Sequence, residues 1–151
     1  MKLAEALVFR ADKQKRLEQI KARLLRNAKV QEGDQPAEDP AQLLVEYEST
    51  ATEFMDLIKQ INLTNASAML GEQSLTEALA QRDILRLRQS TYRDLAQSAS
   101  VVQSVATRSE VKFKSTVSVA AIQKQADQLA RELRDLDARI QEANWKIELE
   151  K

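Results

Sequence analysis

The run IQKQADQLARELRDLDARIQEANWKI, residues 122–147, decides the fold. Ile122, Ala126, Leu129, Leu133, Leu136, Ile140, Ala143 and Ile147 recur at alternating intervals of four and three, the spacing that lays one apolar seam along an α-helix and suits a coiled coil. Burying the six large aliphatics of that seam is worth on the order of 10–15 kcal/mol before chain entropy, at about 2 kcal/mol each. Ser118 is placed to cap the helix, with Val117 and Ile122 as a hydrophobic staple around it. A helix from Ser118 to Glu150 would be about 50 Å long at ~1.5 Å per residue. A compact chain of this size has a radius of gyration of only about 15 Å. The spacing therefore predicts either an elongated molecule or a fourth helix that overhangs onto a partner copy.

Working back from that helix, residues 107–119 change character. Val111, Phe113, Val117 and Val119 share one parity and Lys112, Lys114, Thr116 and Ser118 the other, which predicts a short β segment near 108–118. It would pair either by folding at Ser115-Thr116 or against a neighbouring chain. Upstream, Ser74-Leu75-Thr76-Glu77 is a capping box opening a third helix, with Ala78, Leu85, Tyr92 and Ala99 one heptad apart and Leu75, Leu79 and Leu95 beside them; it fades near Ser100. Asp39-Pro40-Ala41-Gln42 starts a second helix whose stripe is Leu44, Tyr47, Ala51, Phe54, Ile58 and Ile61. Asn62 to Gln73 then reads as a turn with a short helical piece around 66–70. The first helix spans Leu3 to Ala28 on Leu3, Ala6, Leu17, Ile20 and Leu24, and the loop 30–39 holds both a glycine and a proline.

Two glycines and two prolines in 151 residues agree with long, uninterrupted helices, and the length suits a single helical domain, 1–151. The fold class expected is mainly α: an elongated antiparallel bundle of long coiled-coil-like helices. With no cysteine there are no disulfides or thiolate metal sites, which fits a reducing, cytoplasmic setting. With no histidine, serine–histidine triads and histidine metal sites are excluded too. No cofactor is expected. Glu5, Arg10 and Asp12 break up what would be the apolar part of a leader, and no uncharged stretch approaches the ~20 apolar residues of a membrane span.

Net charge is zero but unevenly laid out: residues 1–29 carry nine basic and three acidic side chains, residues 30–59 one basic and eight acidic. The basic ridge Lys15, Arg16, Lys21, Arg23, Arg26 and Lys29 could bind nucleic acid, or could pair with Glu46, Glu48, Glu53 and Asp56 of an antiparallel neighbour. Zero net charge and few stacking aromatics favour pairing and no nucleic acid. Asp127, Arg131, Asp135 and Arg139 form an alternating charge ladder on a solvated helix face. Arg10, which lies on the first helix's apolar stripe, and Arg82-Asp83 are the candidate polar cluster. Trp145 lies off the fourth-helix seam with Leu149, and together with Val111, Phe113 and Val117 forms the expected oligomer interface.

Several runs together carry a family resemblance: Met1-Lys2-Leu3-Ala4-Glu5-Ala6-Leu7 with Arg10-Ala11-Asp12, Asn27-Ala28-Lys29-Val30-Gln31-Glu32-Gly33, Ile61-Asn62-Leu63-Thr64-Asn65, Leu75-Thr76-Glu77-Ala78-Leu79-Ala80 with Arg82-Asp83, Arg108-Ser109-Glu110-Val111-Lys112, and Asn144-Trp145. They resemble the septicolysin-like family of small bacterial helical proteins over nearly the whole chain. The resemblance implies a bacterial cytoplasmic protein that forms homo-oligomers, a hexamer being the expected form, and has no established activity. The reading expected is thus a non-enzymatic structural or interaction protein whose partner is itself, with no stable membrane insertion. The alternatives are a pore-forming, cytolysin-like toxin, and a ligand-binding or hydrolytic protein using Arg10, Arg82 and Asp83.

Overall fold

The computed structural model describes residues 1–101 and 112–151. Those residues form four long helices, α1 (Leu3–Arg26), α2 (Pro40–Ser67), α3 (Leu75–Ala99) and α4 (Val119–Lys146), and one antiparallel pair of two-residue strands, β1 (Met69–Leu70) and β2 (Gln73–Ser74). The protein is mainly α, as its periodicity predicts. The described chain divides into two compact units, Met1–Met69 with Glu142–Lys151, and Leu70–Gln141.

Three of the four helix starts follow their predicted caps. The Asp39 carboxylate accepts from Ala41 N at 3.0 Å with Pro40 in the first turn. Ser74 Oγ accepts from Glu77 N at 3.2 Å while the Glu77 carboxylate accepts from Ser74 N at 2.6 Å. Ser118 Oγ accepts from Ala121 N at 3.3 Å. Each pairs an amide that the first helical turn leaves without a partner.

The ends depart more from expectation. The second helix continues two turns past Ile61, through the stretch expected to turn. Ile61 and Thr64 are both buried there, and Thr64 Oγ1 donates to Gln60 O at 2.8 Å and accepts from Glu150 N at 2.9 Å. Burial and a tertiary hydrogen bond hold helix where local propensity is indifferent. The turn itself is compressed into β1, Gly71-Glu72 and β2, with Gly71 at φ +68°. A Cβ at Gly71 would meet only the end of the Arg139 side chain, at 3.4 Å, so it is the left-handed backbone conformation and not space that calls for glycine there. The fourth helix stops at Lys146, one turn short. Ile147 O accepts from Leu3 N at 2.9 Å and Leu149 N donates to Met1 O at 2.8 Å, a short antiparallel bridge centred on Lys2 and Glu148.

The β segment expected near 108–118 is corrected where it can be seen: 112–118 carry no strand, and Val119 already belongs to α4. Ser115 Oγ donates to Val117 O at 2.6 Å and accepts from Val117 N at 3.3 Å. That local serine turn takes the N–H and C=O of Val117, which a ladder would need. Val111 lies outside the described residues.

In the first unit α1 and α2 pack antiparallel. Lys13 pairs with Glu53 and Arg16 with Glu46, so later residues of one helix meet earlier ones of the other, and Arg23 pairs with Glu38 in the loop just before α2. Leu3, Ala6, Ile20, Leu43 and Ile61 are buried in this unit. In the second unit Ala78 and Leu85 of α3 form one core with Leu129, Leu136 and Ile140 of α4, with Leu70, Leu79, Tyr92 and Leu133 against it. Leu129 is 1% exposed and Ile140 0%. The expectation that this seam needs a second copy is therefore corrected: the apolar face of α3 covers it within the chain.

Candidate functional site

Two features could carry function, a charged cluster on α3 and α4 and an apolar surface. In the cluster, Arg82 is the most enclosed member, its side chain 19% exposed. Nη1 donates to Asp137 Oδ1 at 3.2 Å, while Nε is buried without a hydrogen-bond partner. Arg86 lies 4.0 Å from the same Asp137 oxygen and 3.9 Å from Asp83, and Arg82 Nε lies 4.0 Å from Asp83. The predicted neighbours Arg82 and Asp83 are thus in one network, but the short contact of Arg82 is to Asp137, a residue the sequence did not single out. Arg10 is exposed on α1 in the other unit. This arrangement ties α3 to α4. It sets opposed charges against one another while leaving Arg82 Nε without a partner, and among the described residues no three Asp or Glu side chains converge to hold a metal.

The α1–α2 face is likewise built from paired charges. Arg23 donates from Nε to both Glu38 oxygens at 3.2 and 3.0 Å, and that hydrogen bond raises the guanidinium's pKa and lowers the carboxylate's. Asn27 supports it: its amide nitrogen donates to Arg23 O at 2.9 Å and its oxygen accepts from Glu38 N at 3.1 Å. A cleft of about 340 Å³ lies beside the pairs, lined by Phe9, Asp12, Lys13, Arg16, Glu46 and Thr50. Glu46 and Glu53 therefore meet the basic helix as the pairing reading predicts, with Glu38 added from the loop. Glu148, in the terminal bridge, is lowered first by the hydrogen bond from Lys2 and then by the terminal ammonium.

Of the expected interface residues, Phe113 is 80% exposed and Trp145 61% exposed, whereas Val117 and Leu149 are half-buried. Sequence reasoning missed a larger feature on α3. Ile84, Leu87 and Leu95 are 55%, 65% and 40% exposed, with exposed Thr91 between the last two. At 3.6 residues per turn these four fall on one stripe, roughly 130° round the helix from the core face. The spacing i, i+3, i+7, i+11 was present in the sequence, but the stronger heptad of Ala78, Leu85, Tyr92 and Ala99 masked it.

A family model described as a family of unknown function, DUF6847, matches residues 10–149. Among solved structures, one described as a functionally unknown conserved protein from Corynebacterium diphtheriae is 43% identical, with a TM-score of 0.94 and 99% of each chain covered. No curated protein matches the chain. Neither match says anything of a septicolysin-like family.

Proposed function

This chain belongs to the DUF6847 family, whose function is unknown, and we propose that it acts as a non-enzymatic structural or interaction protein that assembles with copies of itself. The observation that carries the proposal is the exposure of apolar side chains, Phe113 at 80% and Trp145 at 61% foremost. Aromatic side chains in contact with water are poor surface and good interface anchors.

The pairing of Arg82 with Asp137 and of Arg23 with Glu38 supports the non-enzymatic part, since each charge faces a counter-charge. A cytoplasmic setting belongs to the proposal through the septicolysin-like resemblance. Among the described residues no helix is long and apolar enough to cross a membrane. Size-exclusion chromatography with light scattering tests the reading. Assembly at micromolar concentration is expected, and a clean monomer at 100 µM overturns it.

A further inference from the structure

The proposed self-association leaves open which surface two copies share. The α4 seam is not available, because Leu129, Leu136 and Ile140 at its centre are buried within the chain. Phe113 and Trp145 belong to different compact units and form no single face that can be described. The second stripe of α3 is different: Ile84, Leu87, Thr91 and Leu95 lie along one side of one straight element, all exposed. At its far end Leu95 shares the lining of a cavity of about 460 Å³ with Val101 and Phe113, themselves 47% and 80% exposed. The apolar surface therefore continues beyond the helix end.

Its size matches what a pair of chains requires. The exposed parts of Ile84, Leu87, Leu95, Val101 and Phe113 together amount to roughly 600 Å², whereas the apolar share of a standard 800 Å² face is roughly 500 Å². A lone stripe of three aliphatics would be ordinary surface. This one is large enough to form the middle of an interface.

Charge then selects the occupant and its direction. Asp83 and Arg88 flank the stripe on opposite sides, five residues apart, and both are exposed; Asp83 lies 3.9 Å from Arg86 and 4.0 Å from Arg82, and its side chain is still 66% exposed and open to a further partner. In two parallel helices in register, residues so placed meet across the interface, so Asp83 of each copy would face Arg88 of the other, giving two symmetric ion pairs. In an antiparallel pair each flank meets its own kind, and neither Asp83 nor Arg88 gains an opposite charge. A two-fold contact is also the commonest way identical chains associate.

We infer that the exposed stripe of α3, Ile84-Leu87-Thr91-Leu95, is the face on which a second copy of this chain docks, parallel and in register, with Leu87 packed against its own counterpart. The inference rests on the proposed self-association and names its surface. It allows a dimer, or a larger even-numbered ring built of such pairs.

The absence of native cysteine makes the test direct. The full chain with Leu87→Asp and, separately, with Leu87→Cys is compared with wild type by light scattering, circular dichroism and non-reducing electrophoresis. Leu87→Asp is expected to raise the dissociation constant at least about 30-fold without loss of helicity, because Leu87 is not part of the monomer's core. Leu87→Cys is expected to form a disulfide-linked dimer on mild oxidation, at the concentration where wild type is paired. Three results overturn the inference. Assembly of Leu87→Asp as tight as that of wild type removes the surface but spares the proposed function. Cross-linking of a further variant, Thr91→Cys, where Leu87→Cys does not cross-link removes the parallel register. A monomeric wild type removes both inference and proposal.

Discussion

The fourth helix and the third carry apolar residues at helical spacing, yet they end in opposite circumstances. On α4 there is a single seam, and Leu129, Leu136 and Ile140 along it are buried by the chain's own α3. On α3 there are two apolar stripes. Ala78 and Leu85 of the first are buried against α4, whereas Ile84, Leu87 and Leu95 of the second stay in water. A helix can turn only one side to a given neighbour, so a second stripe is left over whenever the chain supplies one neighbour alone. The strength of a periodic signal tells how much area must be covered. It does not tell which molecule covers it.

That contrast predicts a graded set of responses. The largest belongs to the α4 seam: Leu129→Ala should cost about 2–5 kcal/mol in urea unfolding, since it removes buried methyl groups and leaves a cavity. A loss below about 0.5 kcal/mol would mean that the seam is not core. Next comes the site that lengthens α2. Thr64→Val keeps shape but takes away the acceptor of Glu150 N, and should cost about 1–3 kcal/mol, with the amide of Glu150 exchanging faster by hydrogen-exchange NMR. Unchanged exchange at Glu150 would show that this hydrogen bond does not hold the terminal segment.

Ser74→Ala, at the head of α3, should cost about 1 kcal/mol by thermal unfolding, through loss of the cap to Glu77 N. The same cap gives a pH signature. Glu77 is lowered by the amide and hydroxyl of Ser74, Glu38 by Arg23, Glu142 by Lys146, and Glu148 by Lys2. Each binds a proton less readily folded than unfolded. Their stabilisation is therefore complete above the ordinary glutamate value of about 4.3 and is lost as pH falls through their lower folded values. The urea midpoint should be flat near neutrality and decline below about pH 4; a midpoint that rises on acidification would contradict these pairings. The smallest effect belongs to the uncovered stripe. In dilute protein, Leu87→Ala should change unfolding free energy by no more than about 0.5 kcal/mol. A core-sized loss there would make the two stripes equivalent and end the comparison.

Much of the fold was legible from local chemistry. The alternation of three and four along 122–147 and the caps at Asp39, Ser74 and Ser118 locate helices without reference to any distant residue. The alternation at 112–118 misled for an equally local reason, since Ser115 closes a turn that takes up the N–H and C=O of Val117. The candidate site was legible by half. Arg82 stands out beside an apolar stripe, but nothing near it in sequence points to Asp137, fifty-five positions on. The charge swing between residues 1–29 and 30–59 foretold the pairing of α1 with α2, because two adjacent helices of opposite sign joined by a short loop have few other ways to neutralise one another.

What the amino-acid order determined alone is therefore the set of helices and where they begin, because caps and periodicity act over a single turn or a few. The tertiary structure decided where α2 and α4 stop, which carboxylate Arg82 meets, and which stripe of α3 remains uncovered. Burial is a property of the whole chain, and an apolar face has no means of recording in its own spacing what will come to lie against it.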